Sequence, residues 1–260
     1  MTLFLSDLHL GRGAPAEQAA AERDLVALLR AYEDEIVNTG GALYLVGDVF
    51  DQYLEYRHLV PKGAIRFLGL LAGWADQGVP ITYLVGNRDP WHLDYVEREL
   101  GLRLVRDTLT QEVEGHHAYI AHGDAVPIRN PLHARLRLLL RSPFMARLYR
   151  MSLPGDAGYA FARWFARRFG SGGAVGAQTS ATLQNRAEIL LTETDAELVV
   201  FGHCHEAACI SLAGGAYLNP GYWFADRTFG TLTAEGPALH RWHGDRAEPL
   251  ADLRPASLSL

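Results

Sequence analysis

Residues whose side chains can bind metal ions recur along the chain in short polar motifs. Each motif closes a short apolar run that is typical of a buried β-strand. Carboxylate, imidazole and amide groups are the donors that divalent transition metals take in proteins. Their number and recurrence predict a site for two metal ions, formed by Asp7, His9, Asp48, Asn87, His122, His203 and His205.

Two of the motifs carry their ligands in pairs. One residue separates Asp7 from His9, and one separates His203 from His205. On an extended chain the side chains at i and i+2 share a face, so each pair is expected to point into one cavity. Glycines beside the ligands permit tight turns and a close approach of the backbone.

Each of these residues has a simpler explanation when it is taken alone. Asp48 follows a glycine, which is typical of a turn or of a helix N-cap residue. His122 ends an apolar run, where a hydrogen-bonded core histidine is common. Ser6-Asp7 would cap a helix that begins near residue 15, and the last motif would form a separate zinc site with Cys209. All of these explanations would have to hold together to replace the metal site.

The elements that carry the motifs alternate in type. Apolar residues at helical spacing predict helices over residues 15 to 37, 58 to 77 and 91 to 100. After His205, apolar runs separated by glycine and proline predict strands over residues 207 to 212, 216 to 218, 229 to 233 and 238 to 242. The pattern predicts an α/β fold with an antiparallel ending.

Length and composition are those of a soluble globular protein. The 260 residues are 48% hydrophobic and 21% charged, which suits one large domain with a substantial core. No uninterrupted apolar run approaches the roughly 20 residues of a membrane span. The first motif begins within a few residues of the start, which leaves no room for a cleavable signal, and only two cysteines are present. We therefore expect a cytoplasmic protein without a disulfide framework.

Residues 125 to 180 differ from the rest of the chain in charge. They hold nine arginines and a single acid, Asp156, whereas the remainder is acidic. Large apolar residues recur there at helical spacing. We interpret residues 125 to 195 as a helical lid inserted into a single domain of residues 1 to 260, which meets an anionic and apolar partner. The residues assigned to the lid surface are Arg129, Arg137, Arg141, Leu140, Phe144, Leu148, Trp164 and Phe165.

Two alternatives exist for this basic segment. The simpler one is a helical hairpin that packs on the core and leaves its arginines in solvent. Nucleic acid is another partner for a basic surface. The acidic remainder and the dense aliphatic content of the segment favour a lipid or an anionic membrane surface over nucleic acid.

The order and types of the motifs resemble those of the calcineurin-like metallophosphoesterases, which carry Asp-x-His, Gly-Asp, Gly-Asn-His, a His and Gly-His-x-His. The resemblance spans residues 5 to 205. It implies two packed mixed β-sheets flanked by helices, and a hydrolase of phosphate esters or anhydrides. It assigns one ion to Asp7, His9, Asp48 and His205. It assigns the second ion to Asp48, Asn87, His122 and His203, so that Asp48 bridges the two. This donor set suits Mn²⁺, with Fe or Zn²⁺ as alternatives.

Arg88 stands where many of these enzymes have a His that can protonate the leaving oxygen. Arginine cannot release a proton at neutral pH. A phosphate monoester, with a pKa near ~6 to 7, leaves unaided, whereas an alkoxide does not. We therefore predict a pyrophosphate substrate, with catalytic roles for Arg88, Asn87 and His122 in stabilising the developing charge. A salt bridge from Arg88 to Asp89 is the structural alternative.

The segment Gly86-Asn87-Arg88-Asp89 and the basic insertion after His122-Gly123-Asp124 resemble, more narrowly, the UDP-2,3-diacylglucosamine pyrophosphatases of lipid A synthesis. That family cleaves a UDP-linked, doubly acylated sugar to UMP and the acylated sugar 1-phosphate at the inner membrane face. The resemblance implies the same nucleotide-linked acylated substrate and a peripheral position on the membrane. A hydrolase of another lipid-linked or soluble nucleotide is an alternative, and so is a non-catalytic scaffold that binds a protein. The sequence indicates no oligomeric state.

Overall fold

The computed structural model of the protein describes residues 1 to 126, 139, 141 to 169 and 177 to 250. Two mixed β-sheets pack face to face, and helices cover their outer faces. The predicted α/β fold of two packed mixed sheets flanked by helices is therefore confirmed. The limits of the single domain and of the insertion stay predictions.

The larger sheet begins with four parallel strands. They are β1 (Thr2–Leu5), β2 (Ala42–Val46), β3 (Ile81–Leu84) and β4 (Arg103–Val105), in that spatial order. On the other side of β1 the sheet continues with antiparallel neighbours. They are β10 (Thr228–Thr233), β11 (Gly236–Trp242) and β12 (Ala247–Leu250).

The smaller sheet has a parallel centre and antiparallel edges. Its strands are, in chain order, β5 (Thr108–Val113), β6 (His116–Ala121), β7 (Leu198–Phe201), β8 (Ala208–Leu212) and β9 (Gly215–Asn219). In space β6, β7 and β9 run parallel to one another, while β5 and β8 form the two edges. In both sheets, therefore, neighbouring parallel strands end at the same edge.

Helices lie on both outer faces. They are α1 (Pro15–Ala31), α2 (Glu33–Val37), α3 (Ile65–Asp76), α4 (Tyr95–Arg98), α5 (Pro143–Ser152), α6 (Gly155–Phe169), α7 (Ala177–Glu193) and α8 (Trp223–Asp226). Apolar residues of α1 and α3 pack on the larger sheet, and those of α7 pack on the smaller one. None of the helices in the described part of the chain has both the length and the apolarity needed to cross a membrane.

Strand β1 shows how the layers share its side chains. Leu3 and Leu5 face the helices, whereas Phe4 faces the second sheet, as expected for alternating side chains. Because both faces of the strand are covered, its sequence is apolar throughout rather than alternating.

The predicted helices have different limits in the structure. The helix predicted over residues 15 to 37 is interrupted at Tyr32, which ends α1. The one predicted over 58 to 77 begins only at α3, because Ala64 before it has a left-handed backbone with φ 53°. The one predicted over 91 to 100 shrinks to α4, whose first amides bind the buried carboxylate of Glu55.

The strand predictions after His205 agree with β8 to β11 within a few residues. Strands β4, β5 and β12 were not predicted from the sequence. Their residues are partly exposed and lack a continuous apolar run. Edge strands of this kind carry a weak pattern because only one neighbour and one face contribute to their burial.

Candidate metal centre

All seven predicted ligands lie at the carboxyl ends of parallel strands. In the larger sheet they follow β1, β2 and β3, and in the smaller sheet they follow β6 and β7. Open α/β sheets bind their ligands at such ends. Here two sheets present their carboxyl ends to one another, which brings five loops to one place.

Asp7 lies at the centre of the first group of side chains. Its Oδ1 is 3.2 Å from His205 Nε2 and 3.6 Å from His9 Nε2. The two imidazoles are themselves close, with 3.2 Å between their Nε2 atoms. Each of the three side chains thus offers one donor atom to a common point.

Asp48 lies between this group and a second one. Its Oδ2 is 3.8 Å from His9 Nε2, and its Oδ1 is 3.5 Å from His122 Nε2. Asp7, Asp48 and His122 also offer donor atoms to a common point. The two oxygens of one carboxylate therefore face imidazoles of different groups, which is the arrangement expected of a bridging ligand.

Asn87 and His203 complete the second group. Asn87 Oδ1 lies 3.2 Å from His122 Nε2. The ring of His203 meets that of His122 edge to face, with 5.2 Å between centroids. The structure thus brings all seven side chains together, while their role as metal ligands stays a prediction.

The backbone at these residues is not extended, contrary to the basis on which the pairs were predicted. Asp7, His9, Asp48, His203 and His205 all have left-handed backbones, with φ between 43° and 68°. Leu8 and Cys204, between the paired ligands, are fully buried. Convergence therefore comes from tight turns rather than from a shared strand face. Such conformations cost about 1 to 3 kcal/mol each and cluster at functional sites.

Three glycines make room for ligands of other motifs. A Cβ on Gly47 would overlap the ring of His122, and one on Gly86 would overlap the carboxylate of Asp48. A Cβ on Gly202 would overlap Ser6 and approach Asp7 Oδ2 to 2.9 Å. Each of these glycines therefore lets a side chain of a neighbouring loop approach closely, in addition to its part in the turn of its own loop.

Hydrogen bonds leave the donor atoms of the ligands directed into the site. Ser6 Oγ and the backbone N–H of His203 both donate to Asp7 Oδ2, whereas the buried Asp7 Oδ1 has no hydrogen-bond partner. His122 Nδ1 lies 2.8 Å from the Val46 carbonyl, which can only accept. In the neutral imidazole Nδ1 therefore carries the proton, and Nε2, on the side of Asp48, has the lone pair. These donors fit divalent cations.

The alternative roles of Ser6 and Cys209 do not match their contacts. Ser6 is bound to Asp7 and to the Val46 carbonyl rather than to a helix start. Cys209 contacts the Pro237 carbonyl in the layer between the sheets. Within the described residues it belongs to neither candidate metal group.

The buried carboxylates favour positive charge on the neighbouring imidazoles. Burial would lower the pKa of His122, but Asp48 and Asp7 raise it to about 10, so a bound cation would take the place of the proton on Nε2. Burial likewise opposes the ionisation of Asp7, yet His205 and His9 hold the pKa of its carboxyl well below the usual range. The carboxylates are therefore ionised at neutral pH and attract cations.

Arg88 and Asp89 do not form the salt bridge that was the structural alternative. Asp89 is fully buried and accepts hydrogen bonds from the amides of Val49 and Gly86 and from the Tyr83 hydroxyl. It thereby ties the loop after β2 to the loop after β3. The guanidinium of Arg88 has no hydrogen bond or ion pair with another described residue, and the Arg88 amide donates to Asp48 Oδ1.

The predicted lid surface is described only in part. Arg129, Arg137 and Leu140 lie outside the described residues, and of Phe165 only its place in α6 is described. Phe144, Leu148 and Trp164 are 71%, 46% and 55% exposed. The apolar side chains thus face outward, which differs from a hairpin that buries them on the core.

Arg141 is placed differently from the prediction. Its guanidinium turns inward, lies 3.0 Å from Asp124 and donates to the carbonyls of Val85, Gly86 and Arg106. It is therefore a contact between the insertion and the loops that carry Asn87 and His122. The nine arginines of the segment gave no signal to distinguish it from the others.

The sequence matches no protein-family model. Curated relatives do match it. The UDP-2,3-diacylglucosamine hydrolase of Porphyromonas gingivalis is 41% identical over 121 residues, which are 46% of this chain and 45% of that protein. The enzyme of the same name from Xanthomonas axonopodis pv. citri is 25% identical over 256 residues, or 92% of this chain and 98% of that protein.

The chain is similar to the UDP-2,3-diacylglucosamine hydrolases. The resemblance to the UDP-2,3-diacylglucosamine pyrophosphatases that the motifs indicated is thereby confirmed. The match to the Porphyromonas hydrolase spans less than half of that protein, whereas the match to the Xanthomonas hydrolase spans nearly all of it. Among solved structures, a phosphoesterase from E. coli covers 97% of this chain at 14% identity, with a TM-score of 0.47.

Proposed function

We propose that this protein is a metal-dependent hydrolase that cleaves the pyrophosphate bond of UDP-2,3-diacylglucosamine to UMP and 2,3-diacylglucosamine 1-phosphate. The observation that carries the proposal is the convergence of seven ligand-type side chains from five loops. The names of the curated relatives support the substrate. The site supports the reaction class, because paired cation sites that share a carboxylate suit phosphoryl transfer.

Two divalent cations would be held by the residues already described. Asp7, His9 and His205 would bind one ion, Asn87, His122 and His203 the other, and Asp48 both. The mixed oxygen and nitrogen donors favour Mn²⁺, with Fe or Zn²⁺ as alternatives. Divalent cations in such sites activate water and neutralise charge on the phosphoryl oxygens.

Arg88 would bind the substrate directly. Arg88 is half-buried beside Asn87, and its guanidinium makes no hydrogen bond or ion pair with another described residue. A planar guanidinium can grip two phosphate oxygens at once. Because it keeps its proton, Arg88 stabilises charge but does not protonate the leaving oxygen. A phosphate leaving group tolerates this, which supports a pyrophosphate over an alkyl ester.

The insertion would hold the acyl chains and approach the membrane. Its exposed Phe144, Leu148 and Trp164 offer apolar surface to a lipid, and its arginines favour anionic headgroups. A cleft of about 200 Å³ lies between Tyr159 of α6 and the loop residues Leu10 and Phe50. Leu10 follows His9 in the chain, so the cleft lies beside the loop that carries this predicted ligand. These exposed apolar residues and arginines support a peripheral position on the inner membrane face, which is part of the proposal.

The test is UMP release from UDP-2,3-diacylglucosamine by the protein loaded with Mn²⁺, beside UDP-N-acetylglucosamine, which lacks the long acyl chains. We expect turnover of the acylated substrate only, and two equivalents of metal by elemental analysis. Asp48→Ala should abolish turnover and metal binding while the circular dichroism spectrum stays unchanged. Equal turnover of both substrates would indicate a soluble nucleotide pyrophosphatase. Full activity with one metal or none would refute the two-metal site.

A further inference from the structure

Three residues outside the predicted ligand set surround the imidazoles of the first group. Asp51 Oδ1 lies 3.3 Å from His9 Nδ1. The same oxygen lies 2.9 Å from Arg12 Nε. Arg12 then donates through Nη1 to the hydroxyl of Tyr222, over 2.7 Å. The three side chains thus form a continuous polar chain that begins at a predicted ligand.

The chain of contacts returns to the second imidazole through an aromatic stack. The ring of Tyr222 lies parallel to that of His205, with 4.2 Å between centroids and 9° between planes. It also meets the ring of His9 edge to face at 5.5 Å. Tyr222 therefore touches both imidazoles and is held by Arg12.

We propose that Arg12, Asp51 and Tyr222 are positioning residues that fix the ring orientation of His9 and His205, and thereby strengthen binding of the cation held by these two imidazoles. The inference rests on the proposed function, since it assumes a cation at this group. These three residues lie in three different loops, and together they form a brace that would set the affinity of one of the two metal sites.

The first property that the brace controls is the tautomer of His9. Asp51 Oδ1 lies 3.3 Å from Nδ1 and favours a proton on that nitrogen, which leaves Nε2, the atom that faces Asp7 and His205, to hold a cation. Carboxylates placed behind metal-binding histidines act in this way, and their removal weakens metal binding by about 10- to 100-fold. Arg12 in turn holds Asp51 through an ion pair. Solvent screens this ion pair only in part, because both side chains are about 30% exposed.

The second property that the brace controls is the orientation of the His205 ring. Its Nε2 faces Asp7 and His9, and the parallel contact with Tyr222 adds a restraint on rotation of the ring. Arg12 fixes Tyr222 from the far side through the hydroxyl. Loss of the hydroxyl should therefore loosen the ring less than loss of the whole aromatic side chain.

The experiment is calorimetric titration of metal-stripped protein with Mn²⁺. We compare the wild type with Asp51→Asn, Tyr222→Phe and Tyr222→Leu. Asp94→Asn is the matched control, because it removes an exposed carboxylate that pairs with Arg98 on the surface. Thermal unfolding of each metal-stripped variant separates loss of metal affinity from loss of the fold.

We expect one of the two Mn²⁺ sites to weaken by about 10- to 100-fold in Asp51→Asn and in Tyr222→Leu, and the other site to stay unchanged. Tyr222→Phe should fall between Tyr222→Leu and the wild type, and Asp94→Asn should match the wild type. The inference is overturned if the folded Asp51→Asn and Tyr222→Leu variants bind both ions as the wild type does. A wild type that binds no ion overturns the proposed function together with it.

Discussion

The positions of several predicted ligands depend on neighbouring residues outside the predicted set. Gly47 is the clearest case, because its φ is +84° and a Cβ there would overlap the ring of His122. The two residues belong to different sheets, since Gly47 follows β2 and His122 follows β6. A single missing side chain thus sets how closely the two loops approach.

Gly47→Ala should destabilise the protein by about 2 to 4 kcal/mol, because it adds backbone strain to a steric overlap. It should also weaken Mn²⁺ binding, since His122 must move. Urea unfolding and metal titration measure the two effects. Gly69→Ala is the control, because Gly69 lies inside α3 with open space around its Cα. That variant should be as stable as the wild type or gain about 0.5 to 1 kcal/mol.

We expect Arg88 to determine which leaving groups the protein can expel. With an arginine in place of a proton donor, kcat/KM should favour pyrophosphates and aryl esters over alkyl phosphodiesters by about 10² to 10⁴-fold. Arg88→His restores a group that can donate a proton and should narrow that ratio, while Arg88→Gln should lower turnover of both substrate classes. Steady-state kinetics with matched alkyl and aryl diesters provides the measurement. Equal wild-type rates on the two classes would disprove this role of Arg88.

At the scale of elements, the insertion is fastened to the loops that carry the ligands. Arg150 of α5 donates to the carbonyls of Glu55 and Trp91, and Tyr149 packs on Trp91 with 4.7 Å between centroids. Arg141, just before α5, contacts Gly86 and Asp124. These contacts use the polar groups and one aromatic residue of the insertion. Among its described residues they leave exposed Leu139, Phe144, Leu148, Met151, Phe161 and Trp164.

Arg141→Ala should cost about 3 kcal/mol of unfolding free energy, because it removes a cation from beside a buried carboxylate. Turnover should fall as well, since the loops of Asn87 and His122 lose a shared contact. Arg147→Ala is the matched control on the same segment, as Arg147 is exposed. Urea midpoints and kcat should separate the two variants. Identical behaviour of the two would show that Arg141 is only another surface arginine.

At the scale of the whole molecule, charge and apolar surface are distributed unevenly. The insertion is basic, the remaining chain is acidic, and exposed apolar residues of the insertion lie on α5 and α6. Burying an acyl chain there would contribute about 0.8 kcal/mol per methylene. Acyl length should therefore control how strongly the substrate binds.

We expect kcat/KM to rise steeply with acyl length in the wild type and to lose that dependence in the double variant Phe144→Asp, Trp164→Asp. Ile65→Asp is the control, since Ile65 is exposed at the start of α3, outside the insertion. A series of UDP-sugars with increasing acyl chains gives the measurement. The lid hypothesis is wrong if the slope persists in the double variant, or if that variant loses activity only by unfolding.

The sequence alone determined the chemistry that the site can support. Its motifs selected seven residues, each local in sequence and each at the end of an apolar run, and the structure brings all seven together. Strands covered on both faces are apolar throughout, and polar donors at their ends interrupt that pattern. Such signals need no knowledge of which strands are neighbours. The fold class followed from the same alternation and from the family resemblance.

Only the tertiary structure decided how the loops fit together. It packs two sheets so that the carboxyl ends of their parallel strands meet. It places Gly47 against His122 and turns Arg141 inward. It also brings Asp51 and Tyr222 into contact with the predicted ligands. It also replaced extended pairs by left-handed turns. These contacts join residues far apart in the chain. No local pattern encodes them, because each side chain is selected by the shape and charge of a partner that only folding brings near.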